Sequence, residues 1–503
     1  MMSNFNWKSL SDEELQIIFE EVNFKIDPWR HQKIAIAFTL NRKVPRALYL
    51  FDVGTGKTIA ALLTLSLLGC KKILVVCPTS AFGAWERDIP ATTDYNFTFL
   101  TGSKQERLNK LSEKYNIYVI NYEGLKVIYS VLITGYHWVI NPKSFVHNFD
   151  AIVFDEVHKC RAPKSLQSRI CFELSRRSKC CLGLTGTILD KNLLELHNVY
   201  KVVDLGSSLG SNYFSFRRSY FRKGKFEWYP KQGSKEKILS KVAPISIRFS
   251  RDECLDLPEI QSEIKEVSPS LEFLNLQDQI INKNTLTINK NLQMDNPEGP
   301  ARSVKLVEIS GGFFYYRERT EEPNVDPSWK RKAYRLKRNP KLETLMDIID
   351  ESSSKVVVFH NYIEESLMIE EELEKSKIGY ISVRGGTQKN RKELLNLFTN
   401  DPKIKILLAH PSCAREGFDA SISNLMIFFS PIASPMIREQ CMGRIYRAGQ
   451  TKKCLFIDLV MKDSVDATIL NNRSSRKRLV DSVMEYIQKY KTSLKKSQPL
   501  LYD

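Results

Sequence analysis

Leu48-Tyr49-Leu50-Phe51-Asp52-Val53-Gly54-Thr55-Gly56-Lys57-Thr58 runs without a break into Ile59-Ala60-Ala61-Leu62-Leu63. An apolar run, a glycine-rich turn and a helix-forming stretch follow one another. That order predicts a strand feeding a helix through a tight turn. Glycine adopts the backbone conformations such a turn needs, so successive N–H groups can face a phosphate. The N-terminus of the next helix adds the positive end of its dipole. Gly54, Thr55, Gly56, Lys57 and Thr58 are therefore the expected ATP-binding residues. Lys57 is placed to reach the β- and γ-phosphates, and Thr58 to ligate Mg²⁺. The strict form of this pattern has glycine at position 51, where this chain has Phe51.

On either side of the loop, short apolar runs alternate with longer amphipathic ones, the pattern of parallel sheets covered by helices. It occurs twice. The first set of expected strands is Ala47–Phe51, Lys72–Cys77, Ile117–Ile120, Ala151–Phe154 and Cys180–Thr185. The second is Lys355–Phe359, Tyr380–Val383, Ile404–Ala409, Leu425–Phe429 and Leu455–Val460. Helices are expected between most of them, for example over Thr58–Leu68, Ile363–Glu374 and Arg391–Phe398. The fold class is α/β with two parallel-sheet lobes. The stretch from Leu257 to Asn339 has few strand-like runs and reads as a helical connector, with a helix over Leu271–Gln293. Val465 to Lys496 reads as one or two basic amphipathic helices.

Two further motifs carry chemistry. Ala151-Ile152-Val153-Phe154 is a strand, and Asp155-Glu156 follows at its C-terminal end, where parallel sheets place ligands. Two adjacent carboxylates can divide the work, Asp155 holding Mg²⁺ through water and Glu156 polarising the attacking water. Gln440-Cys441-Met442-Gly443-Arg444-Ile445-Tyr446-Arg447-Ala448-Gly449-Gln450 is the most specific stretch. Its pattern arises by chance in roughly one in 100,000 chains of average composition. Arg444 and Arg447, three apart, are expected on one helix face, where two guanidiniums can bind the oxygens of a departing γ-phosphate.

The 503 residues suffice for two to four domains. With 42% apolar and 26% charged residues, a largely disordered chain is excluded. No stretch approaches the ~20 apolar residues of a membrane span, and the polar N-terminus does not read as a secretory signal. Lys+Arg number 75 and Asp+Glu 58, a net 75 − 58 = +17, which suits a polyanionic partner, nucleic acid first. Ten cysteines with no Cys-x-x-Cys, and seven scattered histidines, argue for a reducing compartment without structural zinc or redox chemistry.

On these residues the chain resembles superfamily 2 helicase-like ATPases of the Swi/Snf type, over roughly residues 27 to 472. Pro28-Trp29-Arg30-His31-Gln32 resembles the adenine-reading segment, with Gln32 as reader. Val75-Val76-Cys77-Pro78 followed by Trp85-Glu86 resembles motif Ia, used on the DNA backbone. Tyr118–Glu123 resembles the next conserved strand. Leu184-Thr185-Gly186-Thr187 resembles motif III, which links hydrolysis to DNA contacts. Val356–His360 and Arg384-Gly385-Gly386 resemble the first elements of the second lobe. Ala414–Asp419 stands for motif V and Gln440–Gln450 for motif VI, which brings Gly417 and Gln440 into the expected nucleotide site. Ile188 stands where the family usually has Pro, Lys191 where it often has Asn, and Glu416 and Asp419 replace Gly and Asn.

The resemblance implies two tandem RecA-like lobes with the ATP cleft between them. The expected divisions are an N-terminal helical segment (1–26), lobe 1 (27–256), the connector (257–338), lobe 2 (339–472) and a basic helix and tail (473–503). It further implies a DNA-dependent ATPase that translocates on duplex DNA in recombination, replication or transcription, inside the cell. The compact form resembles phage, viral or bacterial motors more than nucleosome remodellers, and partner proteins in a DNA-processing complex fit the same picture. A strand-separating or fork-annealing helicase and a nucleotide-gated DNA clamp stay open as alternatives. Nucleic acid is expected to meet Thr185 and Thr187, Arg217 and Arg218 within the aromatic-basic stretch Tyr213–Lys231, and Arg331 and Lys332 within Lys330–Lys341. That last run has seven positive charges and no acid. Without a base-reading module, binding is expected to be sequence-independent and salt-sensitive.

Overall fold

Every residue of β1 (Arg46–Phe51) is buried, and its side chains divide between two apolar layers. Leu48 and Leu50 join one layer, while Ala47, Tyr49 and Phe51 join the other. This is the alternation of a strand covered on both faces, and it sets the architecture of the chain's first part. The computed structural model describes residues 6–473 apart from 130, 135–136, 141–147, 187–192, 225–227, 255–256, 284, 290–291, 296–299, 321–327, 385–390 and 417, and further on 482–483, 485–487 and 490. It divides into two units, Met1–Asp256 and Leu257–Asp503.

The first unit is built on a seven-stranded parallel sheet. Its strands are β1, β2 (Ile73–Cys77), β3 (Phe97–Phe99), β4 (Ile117–Asn121), β5 (Ala151–Asp155), β6 (Cys180–Thr185) and β7 (Ser246–Phe249), in the order β7-β1-β6-β5-β2-β4-β3. Helices α1 (Arg30–Leu40), α2 (Lys57–Leu67) and α3 (Phe82–Thr92) cover one face. Leu166–Arg177, α4 (Leu193–Asp204) and α5 (Tyr213–Tyr220) lie on the other. The register pairs Leu50 with Thr185 and Asp155 with Leu184. Parallel strands end on the same side, so the ends of β1, β5 and β6 form one edge.

The second unit has a six-stranded parallel sheet. Its strands are β8 (Ile260–Val267), β9 (Val356–Phe359), β10 (Gly379–Val383), β11 (Ile404–Ala409), β12 (Leu425–Phe428) and β13 (Cys454–Met461), ordered β8-β13-β12-β9-β11-β10. Again alternate residues of the central strand part: Val357 and Phe359 enter one core, Val356 and Val358 the other. Helices α6 (Ile363–Lys375) and α7 (Pro435–Met442) belong to this unit.

All ten expected strands are present. The stretch expected to be a helical connector needs correction. It holds helices Leu271–Asn282 and Pro300–Ser310, but also β8 and two antiparallel hairpins, Thr285–Asn289 with Leu292–Asp295 and Phe313–Thr320 with Ser328–Arg335. The helix expected over Leu271–Gln293 stops at Asn282, ahead of a Thr- and Ile-rich strand segment. Val267, Phe273, Leu276, Ile280 and Leu306 pack against Met461, Val465 and Ile469, so this stretch is part of the second unit's core. Among the described residues, no helix is long and apolar enough to cross a membrane.

Candidate active site

The loop between β1 and α2 turns through Gly54 and Gly56, at φ of 89° and 74°. Both angles lie in the left-handed region that glycine enters freely. A side chain at Gly56 would also collide with the Gln32 amide nitrogen. Three neighbours brace the loop. His31 Nε2 lies 2.8 Å from the Thr55 carbonyl, and Gln32 Nε2 donates to the Thr55 and Gly56 carbonyls at 3.4 and 3.3 Å. From the end of the unit, Arg251 donates its backbone N–H to Asp52 Oδ2 (3.0 Å), and Nε and Nη2 to the Val53 carbonyl (3.1 and 2.9 Å). Lys57 Nζ donates to the Phe51 and Asp52 carbonyls at 3.0 and 3.2 Å. Thr58, in the first turn of α2, is half-buried.

Gln32 is itself buried, its oxygen accepting from the Trp29 N–H at 2.9 Å. In this arrangement both ends of its side chain serve the loop and the start of α1. Arg251 had no motif to announce it; only the fold brings residue 251 against residues 52 and 53.

Asp155 ends β5, and Trp85 Nε1 of α3 donates to its Oδ2 at 3.1 Å. Burial first, and the neighbouring Glu156 charge second, push the Asp155 carboxyl up to about 6. Glu156 adopts φ 54°, a left-handed conformation that non-glycine residues seldom take and that concentrates at functional sites. Burial works against its charge, but the hydrogen bond and charge of His158, then Lys57 and Thr185, outweigh it and hold the carboxyl down at about 2. His158 Nδ1 is 3.1 Å from Glu156 Oε2, and Thr185 Oγ1 donates to the same oxygen at 3.3 Å. Two adjacent acids are thus driven apart, one toward the neutral form and one firmly ionised.

Thr185 is 0% exposed. The expectation that it contacts nucleic acid is therefore corrected: its hydroxyl is shared by Glu156 and by His158 Nδ1, 3.2 Å away. Trp85 likewise lies inside the core on Asp155, not on a surface. Thr187, Ile188 and Lys191 lie outside the described residues.

In the second unit, α7 ends at Met442, so Arg444 and Arg447 sit in turns beyond it, not on the helix face expected of them. Gly443 follows the last helical turn as its C-cap. Arg444 is buried; Nε donates to the Gln440 carbonyl and Nη1 to the Phe418 carbonyl, both at 3.2 Å. Arg447 pairs with Asp419 at 3.5 Å. Gln450 donates to the carbonyls of Ser421, Ser423 and Ile445 at 3.0, 2.9 and 3.1 Å. The side-chain oxygen of Gln440 is buried with no hydrogen-bond partner among the described residues. Gly417 lies outside them.

The surfaces expected to meet nucleic acid differ in kind. Arg217 lies 4.2 Å from the Trp228 ring centre, 5.4 Å from Phe214 and 5.7 Å from Tyr213, so its charge is packed among rings. Arg218 is exposed. Arg331 and Lys332 are exposed on the strand Ser328–Arg335, Arg331 lying 3.7 Å from the Tyr315 ring centre. The seven-charge run is partly neutralised. Arg335 pairs with Glu364 and Glu371 at 2.5 and 2.6 Å, and Arg338 with Glu343 at 2.8 Å. Lys341 is buried on Asp466.

Comparison with known proteins matches residues 31–302, more than half of the chain, to the SNF2-related domain, and residues 340–449 to the helicase conserved C-terminal domain. The DNA repair and recombination protein RDH54 of Saccharomyces cerevisiae is 25% identical, over 90% of this chain and 48% of its own length. The yeast ISWI chromatin-remodeling complex ATPase ISW1 is 23% identical, over 97% of this chain and 43% of its own. An uncharacterized ATP-dependent helicase of Bacillus subtilis, YqhH, is 21% identical over 91% of this chain and 79% of its own. The chain spans about half the length of the yeast relatives. Among solved structures, the Sulfolobus solfataricus SWI2/SNF2 ATPase core in complex with dsDNA aligns over 91% of this chain and 92% of its own, at 18% identity and a TM-score of 0.41.

Proposed function

The chain belongs to the SNF2-related family, and from that membership we propose that it is a DNA-dependent ATPase that moves along duplex DNA and remodels DNA or protein–DNA complexes. The observation that carries this reading is the glycine turn at the end of β1 on the same sheet edge as Asp155 and Glu156 at the end of β5, both acids within reach of the Lys57 charge. Two adjacent carboxylates with different partners, Trp85 on one and His158 and Thr185 on the other, can divide the work of holding a cation and polarising water.

ATP is the substrate. The backbone N–H groups of Gly54 to Thr58 and the Lys57 ammonium would hold its phosphates, with Gln32 beside the loop. Thr58 and Asp155 would hold Mg²⁺, which neutralises phosphate charge when bound; a buried carboxylate that resists ionisation alone is stabilised by such a cation. Glu156 stays ionised, accepts a hydrogen bond from Thr185 and orients the attacking water. Arg444, Arg447, Gln440 and Gly417 are assigned to the same reaction from their motif. Arg218, Arg331 and Lys332 are assigned to the DNA backbone, which carries affinity without sequence information. The setting is intracellular and DNA-associated, with protein partners in the same complex.

Hydrolysis by the purified protein tests this reading, measured without nucleic acid and with single-stranded DNA, duplex DNA or structured RNA. Strong stimulation by duplex is the expected result. Preference for single strands or forks would favour a strand-separating helicase. Turnover below about one per minute under all conditions, against the ~1–10³ s⁻¹ of working enzymes, would favour a nucleotide-gated clamp.

Arg251 gives a second expectation. A hydrogen bond from a charged donor contributes about 1.5–3 kcal/mol. Arg251→Ala releases the Val53 carbonyl and should raise the KM for ATP about tenfold, with kcat within about twofold. A fall in kcat at unchanged KM would show that the brace acts elsewhere than on nucleotide binding.

A further inference from the structure

The described residues between Tyr213 and Lys231 form an arm on the first unit: α5, then a short antiparallel ribbon of Phe221–Lys223 with Trp228–Pro230. Phe216 and Phe221 anchor it in the core, with Tyr220 and Trp228 packed partly behind them. Its frame is fixed at both ends of the helix. Asn212 accepts from the N–H groups of Phe214 and Ser215 at 2.9 and 3.1 Å, and Lys231 Nζ donates to the Arg218 and Ser219 carbonyls at 2.7 and 3.1 Å. Arg217, among its three rings, ties the helix to the ribbon.

Two large rings are left facing solvent, Phe214 at 59% exposure and Tyr229 at 49%. Among the described residues, Trp29 is the only other aromatic side chain with comparable exposure. Each ring has an exposed arginine beside it. Arg218 follows Phe214 by four residues, so the two share a face of α5. Arg222 is the cross-strand partner of Tyr229 and shares its face of the ribbon, the face opposite Trp228 and Phe221. Lys223 adds an exposed charge, and the sequence from Tyr213 to Lys231 holds six cations against one acid, Glu227.

A ring and a cation side by side, presented twice on a rigid frame, match the two parts of a nucleotide: a flat base to stack and a phosphate to neutralise. Paired bases inside a duplex have no free face. We propose that this arm binds unstacked nucleotides, the bases of a single-stranded segment lying on Phe214 and Tyr229 and the adjoining phosphates on Arg218 and Arg222. The proposal rests on the nucleic-acid reading above and narrows its ligand. The net positive charge of the stretch, six cations against the single acid Glu227, makes nucleic acid the fitting partner in preference to an apolar protein surface.

The test compares Phe214→Ala, Tyr229→Ala and the double variant in binding to labelled oligothymidine and to a blunt duplex at one salt concentration. Stacking losses predict about tenfold weaker oligothymidine binding for each single variant and about a hundredfold for the double. Duplex affinity should stay within about twofold, since phosphate contacts persist. Phe214→Trp and Tyr229→Phe should restore binding, and the melting temperature should not move, because both rings are exposed. Equal loss on both DNAs would overturn the proposal in favour of a general backbone contact. No loss on either would overturn it in favour of a protein-binding patch. Failure of the parent reading shows separately, as wild-type protein binding neither DNA.

Discussion

Glu156→Gln is expected to abolish ATP turnover while leaving ATP binding intact. The substitution keeps the side chain's size and an acceptor oxygen for Thr185, and removes only the charge. That charge is what the site is arranged to preserve. His158, Lys57 and Thr185 together overcome the effect of burial, and the carboxyl stays ionised far below neutral pH. A positioned base contributes about 10²–10⁴-fold, so the loss in kcat should be about a thousandfold. The phosphates are assigned to the Gly54–Thr58 loop and Lys57, so ATP affinity should change by no more than about threefold. Retention of turnover within about tenfold would move the base elsewhere, with Asp155 as the obvious candidate. Arg447→Ala is the parallel case from the second unit: turnover should fall similarly, and normal hydrolysis would remove Arg447 from the reaction.

The second large effect concerns stability. Lys341 is 0% exposed and Asp466 1%, and the two form an ion pair through Nζ and Oδ2. Ser310 Oγ lies 3.5 Å from the ammonium, and the Met461 N–H donates to the same Asp466 oxygen at 3.0 Å. Lys341→Ala leaves a buried carboxylate without its counter-ion. Breaking such a pair from one side costs about 3–5 kcal/mol, enough to bring the second unit's denaturant midpoint down sharply. Lys341→Met combined with Asp466→Leu should be much milder, since an apolar pair has no orphan charge. A lysine tracking DNA from the surface would behave in the opposite way, weakening DNA binding and leaving the unfolding transition in place.

Lys341 also shows where sequence reading reaches its boundary. Within its run it is one cation among seven. Its acid lies 125 positions away, and only the fold brings them together. Arg335 has the same history with Glu364 and Glu371. The ten strands were legible because parallel strands covered on both faces must be apolar throughout. The missed strands break that rule. Phe97–Phe99 is short and half-buried, Ser246–Phe249 carries an exposed Arg248, and Ile260–Val267 is exposed at every residue except its last. In the candidate site, the phosphate loop and acid pair were readable because their chemistry is written in adjacent residues. Thr185, Trp85 and Arg251 act on those residues from other strands and helices, and no local pattern marks such a contact. The arginine motif was recognisable by spacing, while its conformation was not, because α7 ends at Met442 and the turns beyond it have no helical period.

Strand β8 opens the second unit, and among the described residues its one neighbour in the sheet is β13, the last strand in chain order. Ile260 pairs with Cys454, so 454 − 260 = 194 positions separate partners that lie side by side. Contacts of such long sequence separation form late, because a long loop must close before they repay its entropy. A nascent chain emerging from the ribosome therefore carries β8 without a partner until nearly the whole second unit has been synthesised. Gln261, Ser262, Glu263, Lys265 and Glu266 give that waiting strand a polar, charged edge. An apolar edge held open for as long would invite pairing with another chain. The same composition that hid β8 as a strand keeps it soluble until its partner arrives.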